Sequence, residues 1–115
     1  MQLSNLLLLG LGLSSTTSAY VVTLYKGPNC TGASKRNNVW DNTCSTPNFG
    51  AKSVRVEVYG GRGQKARFHV ANSCSLHDVL AGPWDAANPN HSFRAGNCID
   101  FGRGRYANAF GSFAA

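Results

Sequence analysis

The sequence has little negative charge: its 115 residues include five Asp and Glu, and Glu57 is the one glutamate. This shortage leaves few carboxylates for acid–base catalysis or for binding a hard cation such as calcium. Long apolar runs are also missing, because the run at 6–13 is far shorter than the roughly 20 residues that a membrane-spanning helix needs. We therefore expect no membrane span.

Recognisable catalytic and metal-binding patterns are missing as well. No G-x-S-x-G elbow occurs, no two cysteines have the C-x2-C or C-x4-C spacing of a zinc site, and the histidines match no metal pattern. We expect neither an enzyme nor a metal or other cofactor. A small secreted ribonuclease stays open as an alternative, because Glu57 and His69 would face the same side if 53–59 and 66–71 pair as a hairpin.

The N-terminal segment has the layout of a secretory signal peptide. Its apolar run, LLLLGLGL, precedes small residues at Thr17 and Ala19, although no basic side chain lies before it. We expect cleavage after Ala19, so that residues 1–19 are removed and 20–115 form a single secreted β-domain. The alternative is a buried N-terminal helix, which nothing after Ala19 continues.

Four cysteines follow this segment, at Cys30, Cys44, Cys74 and Cys98. An even number in a short exported chain predicts two disulfides, although three pairings are possible. A weak internal repeat aligns 22–32 with 66–76 and divides the domain into halves of about 20–59 and 60–115. The repeat favours Cys30–Cys44 and Cys74–Cys98, one bridge in each half, and a Cys30–Cys98 bridge would contradict two separate units.

The charged residues give a formal net charge of +6, with the excess spread along the chain. Candidate contact residues are the cations of two glycine-rich turns: Arg62, Lys65, Arg67, Arg103 and Arg105. A basic secreted protein favours anionic partners such as cell walls, phospholipid headgroups or nucleic acid, but the charge can also serve solubility alone. The one short Arg-Gly segment, GGRGQK, is typical of a turn, and we do not expect nucleic acid as the partner.

The pattern along the chain predicts strands and turns. The clearest strand is SVRVEVY at 53–59, in which valines alternate with polar residues, and YVVTLY at 20–25 and ARFHVA at 66–71 are similar. Residues 76–93 predict one helical turn and otherwise a loop, and 98–113 predict two short strands. Strands at this spacing, with turn signals between them, indicate an antiparallel sandwich.

The segment YKGPNCTG, which starts at Tyr25, resembles a motif of a known protein family. It resembles the aromatic-x4-residue-x-Gly signature of βγ-crystallin Greek-key motifs, and GAKSVRV at 50–56 resembles the segment that follows in such motifs. The resemblance implies that Tyr25 starts a folded hairpin, that Gly32 takes a positive φ, and that Ser53 caps the hairpin from the next strand. It implies an all-β fold, a small antiparallel Greek-key sandwich stapled by two disulfides.

Small secreted members of this architecture include microbial killer-type toxins and protease inhibitors, and the chain is also similar to small cysteine-containing fungal effectors. The resemblance therefore implies an antimicrobial toxin or effector that binds an anionic cell-surface or protein target in another organism. A protease inhibitor with a probe loop at 82–92 is the alternative. The family's calcium motif is altered at Phe49 and Lys52, so we expect no calcium. We also expect a monomer.

Two tryptophans and two glycosylation sequons complete the candidate sites. Trp40 and Trp84 lie in loop-like surroundings, where each could anchor a partner or pack over the small core. The sequons predict glycosylation sites at Asn29, beside Cys30 and a tight turn, and at Asn90, in a polar loop.

Overall fold

Two four-stranded antiparallel sheets form the part of the protein that the structure describes. The computed structural model describes residues 18–89 and 92–114, so most of the expected signal peptide and Asn90 lie outside the described residues. The eight strands are β1 (Ala19–Tyr25), β2 (Ser34–Trp40), β3 (Cys44–Ser45), β4 (Ser53–Val58), β5 (Gln64–His69), β6 (Val79–Asp85), β7 (Cys98–Asp100) and β8 (Ala109–Ala114). The expected all-β antiparallel sandwich with two disulfides is confirmed.

The two halves of the chain exchange their third strands. One sheet has the order β2-β1-β4-β7 and the other has the order β3-β8-β5-β6. The first, second and fourth strands of each half therefore share a sheet, while β3 and β7 each complete the sheet of the other half. This order is compatible with the expected Greek-key arrangement. Near the middle, Ala51 and Ala107, at corresponding positions of the two halves, pair with each other.

The core lies between the sheets and takes residues from both. Alternate residues of β1 and β4 face inward, as do Ala66 and Phe68 of β5, which explains why the same period of two occurs in both halves. The largest buried aromatic side chains are Tyr20, Phe68, Phe93 and Phe110. Phe68 is central, because its ring contacts Trp84, Phe101 and Phe110 in edge-on arrangements.

The hairpin between 53–59 and 66–71, on which the ribonuclease alternative depended, does not form. β4 and β5 lie in different sheets, and residues 59–63 carry the chain from one sheet to the other. β4 pairs instead with β1 and β7. Alternation shows that a strand has one buried face, but it does not show which strand lies beside it.

The predicted disulfide pairing is also wrong. The bridges are Cys30–Cys98 and Cys44–Cys74, so both cross between the halves. The reason is the strand exchange: Cys98 opens β7, which lies beside β4, and Cys44 opens β3, which lies beside β8. Each bridge ties the first hairpin of one half to the exchanged strand of the other. The halves are interlocked and are not separately closed units.

Ser53 holds the hairpin at 26–33 against β4. Its buried hydroxyl donates to the carbonyl of Gly27 at 2.7 Å and accepts from the amide of Cys30 at 2.8 Å. The hairpin turns back at Gly32, whose φ of +84° favours glycine. A single side chain thus satisfies two backbone groups of the hairpin.

Replacing Ser53 with alanine is expected to lower the free energy of unfolding by about 2 kcal/mol, because both hairpin groups lose their partner in a poorly hydrated place. Urea unfolding measures the change. The matched control is Ser34→Ala, since Ser34 is exposed at the neighbouring end of β2. Equal losses from the two substitutions would contradict the capping role of Ser53.

Candidate functional site

The surface loops lie at two opposite ends of the sandwich. We define the hairpin end as the end reached by the last residues of β1 and β5, from which 26–33, 46–52, 70–78 and 101–108 emerge. The strand pairings place these segments together: Tyr25 pairs with Ser53 and His69 pairs with Ala109. The other end carries 41–43, 59–63 and 86–97.

The two predicted basic turns are separated by this arrangement. Arg62 is exposed in the turn between β4 and β5, at the far end from the hairpins. Arg103 and Arg105 are exposed in the loop between β7 and β8, at the hairpin end. One flat target therefore cannot contact both turns at once.

Lys65 and Arg67 lie on neither turn, but on the outer face of β5. Lys65 pairs with Asp85 and Phe113 on the adjacent strands. Arg67 places its guanidinium 4.4 Å from the centre of the Phe113 ring and its Nε 3.4 Å from Nε2 of His69. Both side chains are half-buried, so they are less available for a partner than the arginines of the loops.

Asp100 positions the basic loop at the hairpin end. Its carboxylate accepts from the amide of Gly102 at 2.8 Å and from the amide of Asn29 at 2.7 Å. Lys52 lies 3.5 Å from the same carboxylate and also donates to the carbonyl of Gly102. The amides of Gly102 and Asn29 hold the pKa of Asp100 below its ordinary value. Arg103 and Arg105 therefore extend from a loop that is anchored at its base.

Lys52 lies in the stretch at 48–53 that was compared above with a calcium motif, and its ammonium bonds to the carbonyl of Gly102 and lies beside the Asp100 carboxylate. Lys26 similarly donates to the carbonyl of Phe49 and lies 4.2 Å from the centre of its ring. Within residues 18–89 and 92–114, no group of three or more His, Cys, Asp and Glu is arranged to hold a metal ion.

The ribonuclease constellation is not assembled. Glu57 lies on the outer face of the first sheet, where it accepts a hydrogen bond of 2.7 Å from the Thr23 hydroxyl. His69 lies on the outer face of the second sheet and is fully buried beneath its hairpin. The prediction that these side chains share a face is wrong, because β4 and β5 do not pair.

His69 is instead a structural residue. Its Nδ1 lies 3.0 Å from the carbonyl oxygen of Ser75, so Nδ1 donates and Nε2 faces the Arg67 guanidinium. A β-carbon on Gly111 would lie 3.4 Å from Nε2 of His69 and 3.3 Å from the sulfur of Cys74, so the packing is close here. Burial and the Arg67 charge lower the pKa of His69, whereas the Ser75 carbonyl and Asp78 oppose this shift.

This lowered pKa predicts a stability that falls on mild acidification. Between about pH 7.5 and pH 5 the unfolded chain takes up a proton on His69 that the folded protein resists. The free energy of unfolding should therefore decrease as the pH falls through the ordinary histidine range. Urea unfolding at several pH values measures this slope, and His69→Asn should remove it.

His77→Asn is the matched control, because it changes an exposed histidine of the same hairpin and retains His69. Asp85 and Asp100 also have lowered pKa values, but their titration affects stability only at lower pH. A slope that persists in His69→Asn would contradict the assignment.

The two tryptophans differ in exposure. Trp84 is partly buried and packs edge-on against Phe68 with ring centres 5.3 Å apart, and it also contacts Phe93, which matches the expected alternative of packing over the core. Trp40 is 52% exposed at the end of β2 and stays available to a partner. The core position of Trp84 follows from β6, which forms a strand where a loop was predicted.

The remaining candidates are placed as follows. The Tyr25 hydroxyl accepts a hydrogen bond of 3.3 Å from Arg55, and its ring lies beside the same guanidinium. Asn29 is exposed with a φ of +53° beside the Cys30–Cys98 bridge. In the part of the chain that the structure describes, no pocket is found and no helix is long and apolar enough to cross a membrane.

Comparison with models of protein families, with curated proteins and with solved structures gives no match to this chain.

Proposed function

We propose that this chain is a secreted antimicrobial toxin or effector, related in architecture to the βγ-crystallin-like proteins, that binds an anionic target on another organism. The observation that carries the proposal is the loop 101–106 with its two exposed arginines. It extends from a base that is held by Asp100, close to the Cys30–Cys98 bridge. A preorganised loop loses less conformational entropy when it binds.

The charge distribution supports the same function. Asp100, the acidic residue nearest the loop, is already bonded to Lys52 and to two backbone amides. Arg103 and Arg105 therefore keep their charge for a partner. Arginine suits this task because its planar guanidinium binds phosphate and carboxylate groups in a bidentate manner.

Growth of a panel of yeasts, filamentous fungi and bacteria tests the proposal. We expect the purified protein to inhibit at least one organism, and we expect Arg103→Gln with Arg105→Gln to weaken the inhibition. A reduced and alkylated sample serves as the control for folding, and should be inactive. No inhibition of any organism at micromolar concentration would contradict the toxin and leave an effector directed at a host or an inhibitor.

A protease inhibitor is the second candidate, favoured by the rigid, exposed hairpin at 26–33. Its Pro28 and Asn29 are exposed while Cys30 is bridged and Ser53 binds the backbone from below. The earlier candidate loop at 82–92 is wrong in its first part, because Gly82–Asp85 belong to β6. An inhibitor would abolish the activity of a protease at a stoichiometric ratio, which a toxin would not do.

A further inference from the structure

Exposed apolar side chains are concentrated at the hairpin end. The large exposed apolar residues of the described chain are Trp40, Val58, Val70, Leu76, Val79 and Tyr106. The last four belong to the segments 70–79 and 101–108. Leu76 is the most exposed of all, at 69%, and Tyr106 is 44% exposed.

Hydrogen bonds hold these two segments together. The amide of Val70 donates to the carbonyl of Asp78 at 2.8 Å, which closes the hairpin beside Val79. The side chain of Asn108 donates to the carbonyl of Val70 at 2.7 Å, and the backbone amide of Asn108 donates to the carbonyl of His69 at 2.9 Å. Tyr106, two residues before Asn108, therefore lies near Val70, at the base of the hairpin that carries Leu76.

Leu76 is exposed on a rigid support. It begins a short 3-10 turn whose preceding residue, Ser75, accepts from the amides of His77 and Asp78. The carbonyl of Ser75 is bound by the buried His69 ring, and Cys74 is bridged to Cys44. The exposed leucine is therefore presented by a fixed backbone, and binding would require little ordering of the turn.

The charge around these apolar side chains is positive. The four segments of the hairpin end carry Lys26, Lys52, Arg103 and Arg105 against Asp78, and Asp100 lies at the base of one of them, so the excess is two positive charges when Asp100 is counted. Arg103 and Arg105 are both exposed and lie three residues and one residue before Tyr106 in the chain. Apolar side chains with arginines and a tyrosine beside them match the boundary between lipid headgroups and acyl chains.

We propose that the hairpin end docks onto the surface of an anionic lipid bilayer. Leu76, together with Val70 and Val79, enters the headgroup region, Tyr106 lies at the interface, and Arg103 and Arg105 bind lipid phosphates. A wall polysaccharide or a nucleic acid would use the arginines but would offer no apolar phase to Leu76. This inference rests on the proposed function and names its anionic partner.

Co-sedimentation with lipid vesicles tests the docking. The protein should bind vesicles of phosphatidylcholine mixed with phosphatidylglycerol, and should bind phosphatidylcholine alone much more weakly. Replacing both arginines with glutamine should weaken binding about 25-fold, because each basic residue near an anionic surface contributes about a factor of five. Leu76→Ser should weaken it about tenfold or more.

The matched control is Arg62→Gln with Arg94→Gln, which removes two exposed arginines from the opposite end and leaves the net charge equal to that of the test variant. This control should bind like the parent protein. Equal weakening by both pairs would overturn the docking geometry, since net charge alone would then explain binding. An unchanged affinity for Leu76→Ser would overturn insertion into the headgroup region.

The failure of this inference can be distinguished from the failure of the proposed function. Growth inhibition without vesicle binding would retain the toxin and overturn the lipid partner. Vesicle binding without inhibition of any organism would retain the docking surface and contradict the toxin. Circular dichroism of each variant shows whether the fold is kept, which is expected because Leu76, Arg103 and Arg105 are exposed.

Discussion

Replacing Cys30 and Cys98 together with alanine is expected to lower the free energy of unfolding by about 4 kcal/mol, because the lost bridge closes a very long loop of the unfolded chain. The bridged residues are 68 positions apart, whereas Cys44 and Cys74 are 30 apart. The corresponding loss for Cys44 and Cys74 should be slightly smaller, since loop entropy depends only on the logarithm of length. Guanidinium unfolding of the oxidised proteins measures both values.

The two cysteine pairs are each other's controls. Both variants should remain folded under mild conditions, because the shared core is still intact. A single substitution, such as Cys30→Ala, should be at least as destabilising as the double one, since Cys98 then has no partner. A loss well below 1 kcal/mol for the double variant would mean that the bridge does not constrain the unfolded chain.

Replacing Phe68 with alanine is expected to cost about 4 kcal/mol, because the change removes a large side chain from the centre of the core and leaves a cavity. Phe68 is fully buried and its ring lies 5.1 Å from that of Phe110 and 6.0 Å from that of Phe101. The Phe68 ring also lies 6.5 Å from that of Tyr20 on β1, so residues of both halves surround it. The substitution should therefore weaken the whole fold and not one hairpin.

Phe113→Ala is the matched control for Phe68→Ala. Phe113 lies on β8 of the same sheet, but on the outer face, where it is half-buried beneath the Arg67 guanidinium. Removing the Phe113 side chain should lower the free energy of unfolding by only a fraction of the loss at Phe68, because water can fill the space left at a half-buried surface position. Comparable losses at the two positions would contradict the placement of the core between the sheets.

The sequence predicts the strands that have a period of two or a cluster of apolar residues, as in 98–113, and it misses β2, β3 and β6, which have neither. Val54 and Val56 identify β4 because valine alternates there with polar residues. β2 reads Ser-Lys-Arg-Asn-Asn-Val-Trp, and its strand conformation depends on pairing along the whole of β1, which a polar edge segment does not reveal. β6 contains Gly82 and Pro83, so its local signals indicate a turn although it pairs with β5.

Long-range pairing is the part that the sequence does not reveal. The repeat places Tyr25 opposite His69 in the alignment, and each is the last residue of the first strand of its half. The exchange consists of β3 pairing with β8 and β7 pairing with β4, between residues far apart in the chain. No local pattern in these two short strands predicts such pairing. The candidate site follows the same rule: the arginines are visible in the sequence, but their grouping into two opposite ends is not.

The placement of every surface loop depends on the strand exchange, and disulfide mapping of the unreduced protein tests that exchange most directly. Cleavage after lysine and arginine places the four cysteines in separate peptides, 27–35, 37–52, 68–94 and 95–103. Mass spectrometry should find 27–35 linked to 95–103, and 37–52 linked to 68–94. A link between 27–35 and 37–52 would show that each half closes on itself, and would contradict both the interlocked sandwich and the docking surface built on it.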